Sequence, residues 1–197
     1  MHVAVLLFED FETLDVFGPV EILGRLKEHF RVSFYSQHGG QVKNAHGVVM
    51  LTEKLDSILN GTDIFLIPGG YGTRVEAGNQ LLINAIRNIS EKSKYVHTVC
   101  TGSALLARTG LLDGKKATSN KKAFAWVMSQ GPEVNWVKKA RWIRDEKYYT
   151  SAGVSAGMDM TLGFLCDIYG IEFARKLAFE IEYTWQENSE EDHFYQQ

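Results

Sequence analysis

Short apolar runs alternate with amphipathic stretches along the whole chain. Residues 3–8 are a continuous apolar run, the mark of a strand buried on both faces. Residues 13–26 show helical spacing, with Pro19 near the start of the regular helix or at a kink. Residues 30–36 predict the next strand, and residues 42–51, broken by Asn44-Ala45-His46-Gly47, predict a small hairpin. Residues 63–67 form another buried strand, ended by Pro68-Gly69-Gly70. Residues 80–89 are helical and residues 95–99 are strand. A helix then follows Cys100 to about Thr109, with Gly110 as its stop. Residues 134–150, rich in aromatics and β-formers, predict one strand or a pair. Residues 155–169 and 171–185 carry the two strongest helical patterns, separated by Gly170. The acidic, polar tail 186–197 is either an ordered lid or a frayed end.

Alternation of this kind predicts a single α/β domain over residues 1–197, with a mostly parallel sheet covered by helices on both faces. In such sheets ligands gather beyond the carboxyl ends of the strands. Asp15, Gly69-Gly70 and Cys100 all fall at such ends.

Composition narrows the function classes. With 45% hydrophobic and 23% charged residues the chain has the make-up of a globular protein. A formal net charge of −3 gives no pull toward nucleic acid or an anionic membrane, and the paired lysines at 115–116, 121–122 and 138–139 read as solvated faces. No apolar run approaches the roughly 18 residues of a membrane span. The N-terminus runs straight into a strand pattern without the basic region of a signal peptide. Two cysteines with no paired spacing suit a reducing cytoplasm.

The candidate chemistry lies at the strand ends. Tyr95-Val96-His97-Thr98-Val99-Cys100-Thr101-Gly102-Ser103-Ala104 passes from β-formers to small helix-formers within two residues. A thiol at the start of a helix meets unpaired N–H groups that favour the nucleophilic thiolate. The Thr101 N–H is placed to donate to an oxyanion. The plain alternative is that Cys100 is a small buried hydrophobe, which is the reading taken for Cys166 in its apolar helix. Gly69-Gly70 forms either an anion-binding nest or a simple tight turn. Asp15, flanked by Leu14, Val16 and Phe17, is either a solvated cap or a carboxyl group raised by an apolar setting that exchanges a proton with the thiol. His97 points to the opposite face of the strand from Cys100 and is read as structural. The six histidines show no metal-ligand spacing. Trp126, Trp136, Trp142, Trp185 and Tyr183 either line a pocket or dimer contact or serve ordinary packing.

Taken together, four segments resemble the ThiJ/PfpI superfamily, cysteine-centred proteins of the class I glutamine amidotransferase-like fold. They are Thr13-Leu14-Asp15-Val16-Phe17-Gly18-Pro19-Val20-Glu21, Pro68-Gly69-Gly70, Val99-Cys100-Thr101-Gly102-Ser103 with Gly110-Leu111-Leu112-Asp113-Gly114, and Ser151-Ala152-Gly153-Val154-Ser155-Ala156-Gly157-Met158-Asp159. The resemblance is nearest to the isonitrile hydratase-like branch and to the ligand-binding domains of some AraC-type regulators. It implies a flavodoxin-like three-layer α/β/α sandwich and a homodimer with the site near its interface. It makes Cys100 the nucleophile, Asp15 its acid/base partner, and the N–H groups of Gly70 and Thr101 the oxyanion donors. It also implies a small electrophilic substrate, with no metal or organic cofactor.

One departure stands out. Where many relatives have a histidine, this chain reads Ala117-Thr118-Ser119-Asn120, and Asn120 cannot act as a general base. The rival readings are a glyoxalase or deglycase acting on 2-oxoaldehydes, and a redox-sensing or stress-response protein without turnover. Asp15, where glyoxalase-like relatives carry a glutamate, favours the hydratase side. An AraC-type regulator is disfavoured because no helix-turn-helix segment follows the core.

Overall fold

The computed structural model describes residues 1–58 and 60–195. In chain order the elements are β1 (His2–Leu6), α1 (Thr13–Arg25), β2 (Arg31–Ser36), β3 (Gly40–Lys43), β4 (Val49–Lys54), β5 (Ile64–Ile67), α2 (Thr73–Glu76), α3 (Gln80–Lys92) and β6 (Tyr95–Thr98). There follow α4 (Gly102–Ala107), β7 (Lys116–Ala117), α5 (Phe124–Gln130), β8 (Asn135–Trp136), β9 (Trp142–Asp145), β10 (Tyr148–Ser151), α6 (Ala156–Tyr169) and α7 (Ile171–Glu180). Among the described residues eight strands form one sheet in the order β3-β4-β2-β1-β5-β6-β10-β9. Its interior pairings are parallel, and only the edge strands β3 and β9 run antiparallel to their neighbours. The expected architecture is therefore present: α1, α6 and α7 pack together on one side, and α3, α4 and α5 make up the other.

The apolar runs explain the arrangement. Val3, Ala4, Val5 and Leu6 of β1 and all four residues of β5 are buried, as central parallel strands covered on both faces must be. α3 carries Leu82, Ile83, Ile86 and Ile89 on one stripe, and the Asn79 side chain caps its start by accepting the Leu82 N–H at 3.2 Å. Pro19 lies inside α1. The tryptophans divide between packing and hydrogen bonding. Trp142 is buried, Trp136 donates its indole N–H to the Gly131 carbonyl, and Trp126 lies under the Arg74 guanidinium at 4.1 Å.

Two helices are shorter than their sequence patterns predict. α4 stops at Ala107, and the chain then turns through Gly110 in the left-handed region. α7 stops at Glu180 because Glu182 adopts φ 52° and turns the chain back over α6. Tyr183 then donates to Asp159 Oδ1 at 3.0 Å and Trp185 to the Asp159 carbonyl at 3.1 Å. The described part of the tail packs back onto the fold. Its Ser189 carbonyl accepts from the Arg141 and Trp142 N–H groups, and Asp192 is buried against Arg141 and Lys121. Gln196 and Gln197 lie outside the described residues.

His97 is packed among Tyr149 and Phe164, fully buried, with neither ring nitrogen hydrogen-bonded. Burial lowers its pKa to about 3, so the ring is neutral at physiological pH. A folded-state pKa below the unfolded 6.5 contributes stability above pH 6.5 that is lost as pH falls toward 3. Wild-type protein is expected to lose about 2 kcal/mol between pH 7 and pH 5 through this group. His97→Leu, which has no proton to gain, should flatten that part of the curve of thermal midpoint against pH. An unchanged slope would refute the assignment.

Candidate active site

β1 lies between β2 and β5, so the chain leaves it first toward one edge of the sheet and later returns on its other side. This switch opens a crevice beyond the carboxyl ends of the strands. Three segments meet there: the first turn of α1 after β1, the glycine turn after β5, and the cysteine turn after β6.

Asp15, on the first turn of α1, is fully buried. Its Oδ2 accepts the Gly69 N–H at 2.8 Å. Its Oδ1 is buried with no hydrogen-bond partner in bonding geometry, and the Cys100 thiol lies on this carboxyl. Burial raises the carboxyl well above its usual range. The Gly69 N–H opposes the shift, and Glu12 adds to it.

The Cys100 backbone is held in the left-handed region at φ 56°. Its N–H donates to the Ala152 carbonyl at 3.0 Å, and its own carbonyl accepts the hydroxyls of Ser103 at 3.0 Å and Ser119 at 2.7 Å. A strained residue fixed from three neighbouring segments aims its side chain with little freedom. The thiol is nearly buried.

Its charge state departs from the expectation of a favoured thiolate. Burial, and then the Asp15 charge, push the thiol up to about 12. Three groups act in the opposite direction: the N–H groups of Thr101 and Val154 and the Thr101 hydroxyl. The six residues of α4 supply too small a dipole to offset loss of water. The pair nevertheless has a route to the nucleophile. Passing the thiol proton to the Asp15 carboxylate moves one negative charge onto sulfur without changing the total buried charge.

The glycine turn supplies the third wall. Gly70 has φ 123° and bridges to Phe11; a Cβ there would fall 2.4 Å from the Asp10 carbonyl oxygen and 2.5 Å from the Glu12 nitrogen. Only glycine fits. Its N–H donates to the Thr101 hydroxyl oxygen at 3.1 Å. The Thr73 hydroxyl donates to the Gly70 carbonyl at 2.7 Å and lies 3.1 Å from the Thr101 oxygen, and Arg74 Nη1 donates to Thr73 at 3.0 Å. The turn is thus neither an open nest nor a bare bend: Gly69 serves Asp15, and Gly70 serves Thr101.

All four candidate residues, Asp15, Gly70, Cys100 and Thr101, come together. Thr73 and Val154 join them and were not singled out from the sequence. Thr73 follows a glycine turn without any periodic signal, and Val154 acts through its backbone N–H, to which side-chain type is silent. Asn120 caps a turn, accepting the Ala123 N–H at 3.0 Å, and its amide faces Gly153. Cys166 sits on α6 and is only partly buried, not the core residue its apolar run predicts. Among the described residues no cluster of three His, Cys, Asp or Glu side chains is placed to share a metal ion. Nor is any helix long and apolar enough to cross a membrane.

The isonitrile hydratase of Pseudomonas putida is 27% identical over 186 residues, covering 93% of this chain and 79% of that protein. The HTH-type transcriptional regulator CdhR of Pseudomonas aeruginosa is 27% identical over 179 residues, which is 88% of this chain but 52% of the regulator. The crystal structure of a ThiJ/PfpI family protein from Pseudomonas syringae superposes with a TM-score of 0.84 at 26% identity, covering 92% of this chain and 74% of that one. Residues 1–166 match the DJ-1/PfpI family as a whole, and the chain belongs to that family.

Proposed function

We propose that this chain is a cysteine-nucleophile enzyme that hydrates isonitriles to N-formamides, acting as a homodimer in a reducing cytoplasm. The observation that carries the reading is the fully buried Asp15 carboxyl lying against the Cys100 thiol, with the Thr101 and Val154 N–H groups directed at sulfur. A buried carboxylate lying on a thiol needs only one short proton transfer to turn the thiol into the nucleophile and itself into the acid.

The steps balance without a cofactor. The Cys100 thiolate forms a bond to the terminal isonitrile carbon, and that carbon takes a proton from Asp15, giving a thioimidate. Water adds to the same carbon, delivering one proton to the Asp15 carboxylate, which passes it to nitrogen. The C–S bond then breaks with its electron pair returning to sulfur. The N-formamide leaves after losing its hydroxyl proton to Asp15. The N–H groups of Thr101 and Val154, which face the sulfur, take the charge as it spreads from sulfur to substrate, while the Gly70 N–H holds the Thr101 hydroxyl in place.

The same thiol suits attack on the aldehyde carbon of a 2-oxoaldehyde. The relation to CdhR supports a third reading, a ligand-binding domain without turnover. The test is to incubate purified protein with an alkyl or aryl isonitrile and follow N-formamide by chromatography, with methylglyoxal in parallel. Many formamide equivalents per protein are expected. Consumption of methylglyoxal alone would replace the hydratase reading with a glyoxalase one. Turnover of neither would leave the ligand-binding or redox reading.

A further inference from the structure

Outside the loop of Gly153, Val154 and Ser155 lies a cavity of about 720 Å³, within the range of sites for small ligands. Val154 borders both this cavity and the reaction centre: its N–H faces the Cys100 sulfur and the same residue lines the cavity, while Cys100 itself lies behind the loop. The remaining walls are conspicuous in charge. Lys121, Lys122, Lys138 and Arg141 line the cavity against a single carboxylate, Asp192, in a chain whose formal net charge is −3.

The four cations are not equally engaged. Arg141 is buried, bound to Asp159 at 2.8 Å and to Asp192 at 3.4 Å. Lys121 donates to the Ala140 carbonyl at 2.6 Å and pairs with Asp192 at 3.4 Å. Lys122 and Lys138 have no carboxylate within 4.0 Å among the described residues; the Lys138 ammonium lies 5.7 Å from the Tyr195 ring. The Asp192 carboxylate is taken up by Lys121 and Arg141 and not by the other two lysines. The charge left over is positive.

We infer that this cavity receives the anionic end of the substrate, and that the substrate class is a small electrophile carrying a carboxylate a few bonds from its reactive carbon. The inference rests on the nucleophilic role proposed for Cys100. Cations gathered in a walled cavity focus their field and raise the local concentration of anions, and a neutral electrophile gains nothing from that field. Lys122 and Lys138 are specificity-determining residues here, acting on the remote end of the substrate rather than on its reacting atoms.

The test compares two alkylating reagents that differ in charge. Iodoacetate and iodoacetamide both lose iodide to a thiolate as the C–S bond forms, but only the first is an anion. Rates at Cys100 are measured at low salt in a Cys166→Ser background. A neutral blocked cysteine peptide is the reference for the iodoacetate-to-iodoacetamide ratio. The ratio at Cys100 is expected to exceed the peptide's by about tenfold, and to fall toward it at high salt or in Lys122→Gln/Lys138→Gln. A ratio equal to the peptide's, or one unmoved by the double substitution, overturns the inference. Should Cys100 react with neither reagent, the nucleophile reading fails, and calorimetric titration with pyruvate decides the anion site separately. Binding that is lost in the double variant upholds it, and absence of binding overturns it.

Discussion

Asp15→Asn is expected to lower kcat/KM for isonitrile hydration by about 10²–10⁴-fold at neutral pH, the usual worth of a positioned acid/base, and Cys100→Ala to abolish it. The asparagine carbonyl can still accept the Gly69 N–H, so the local fold has its hydrogen bond while the proton is gone. The shape of the pH profile is the more telling measurement. Asp15 and Cys100 are both raised by burial and lie against one another, so they titrate as a pair. The reactive form holds one proton between them: thiolate beside carboxylic acid. Wild-type kcat/KM should fall on the acid side, where both groups are protonated, and on the alkaline side, where both are ionised. In Asp15→Asn the alkaline limb should vanish, with the residual rate rising with pH toward the pKa of the thiol. A bell retained in the variant, or an unchanged rate, would remove Asp15 from the mechanism.

The largest effect on stability is expected at Arg141. Its Nε and Nη2 reach Asp159, its Nη1 reaches Asp192, and Nη2 also donates to Ser155 at 3.1 Å. Arg141→Leu would leave the buried Asp159 carboxylate without its cation and the buried Asp192 with Lys121 alone. Breaking a buried pair in this way costs about 3–5 kcal/mol. For a chain of this size that corresponds to a fall of roughly 6–20 °C in thermal midpoint. The sign with pH follows from Asp159, whose carboxyl is already raised by burial despite the arginine. Without Arg141 it rises further. A raised folded-state pKa favours the fold while the group is protonated and disfavours it as pH climbs. The gap between variant and wild type should therefore narrow from pH 7 to pH 5. Adding Asp159→Asn to Arg141→Leu should restore part of the loss. A midpoint within a degree of wild type would show that the network contributes little.

Continuous apolar runs made the central strands legible in sequence, since Val3 to Leu6 and Ile64 to Ile67 can be buried on both faces only inside a parallel sheet. The candidate residues were legible for a related reason: Asp15, Gly70, Cys100 and Thr101 each follow such a run. Other elements left no periodic trace. α2 spans four residues with Val75 exposed, and β7 and β8 are two-residue strands that exist only by pairing with each other, Lys116 against Asn135. The end of α7 has no trace in the sequence because the hydrogen bonds from Tyr183 and Trp185 to Asp159 are made across the fold, not along the helix. The charge state of Cys100 was hidden for the same kind of reason. Its place before a helix argues for the thiolate, whereas the burial that outweighs it comes from segments distant in sequence.

Three residues around the thiol turn hold left-handed backbone without being glycine: Asp10 at φ 59°, Cys100 at φ 56° and Val154 at φ 48°. Such a conformation costs on the order of 1–3 kcal/mol per residue, and a β-branched valine is among the residues least suited to it. Selection for heat resistance alone would therefore favour glycine or asparagine at these positions, including the position of the nucleophile. Thermostability and activity pull in opposite directions here, so directed evolution of this protein needs an activity screen running beside any thermal one.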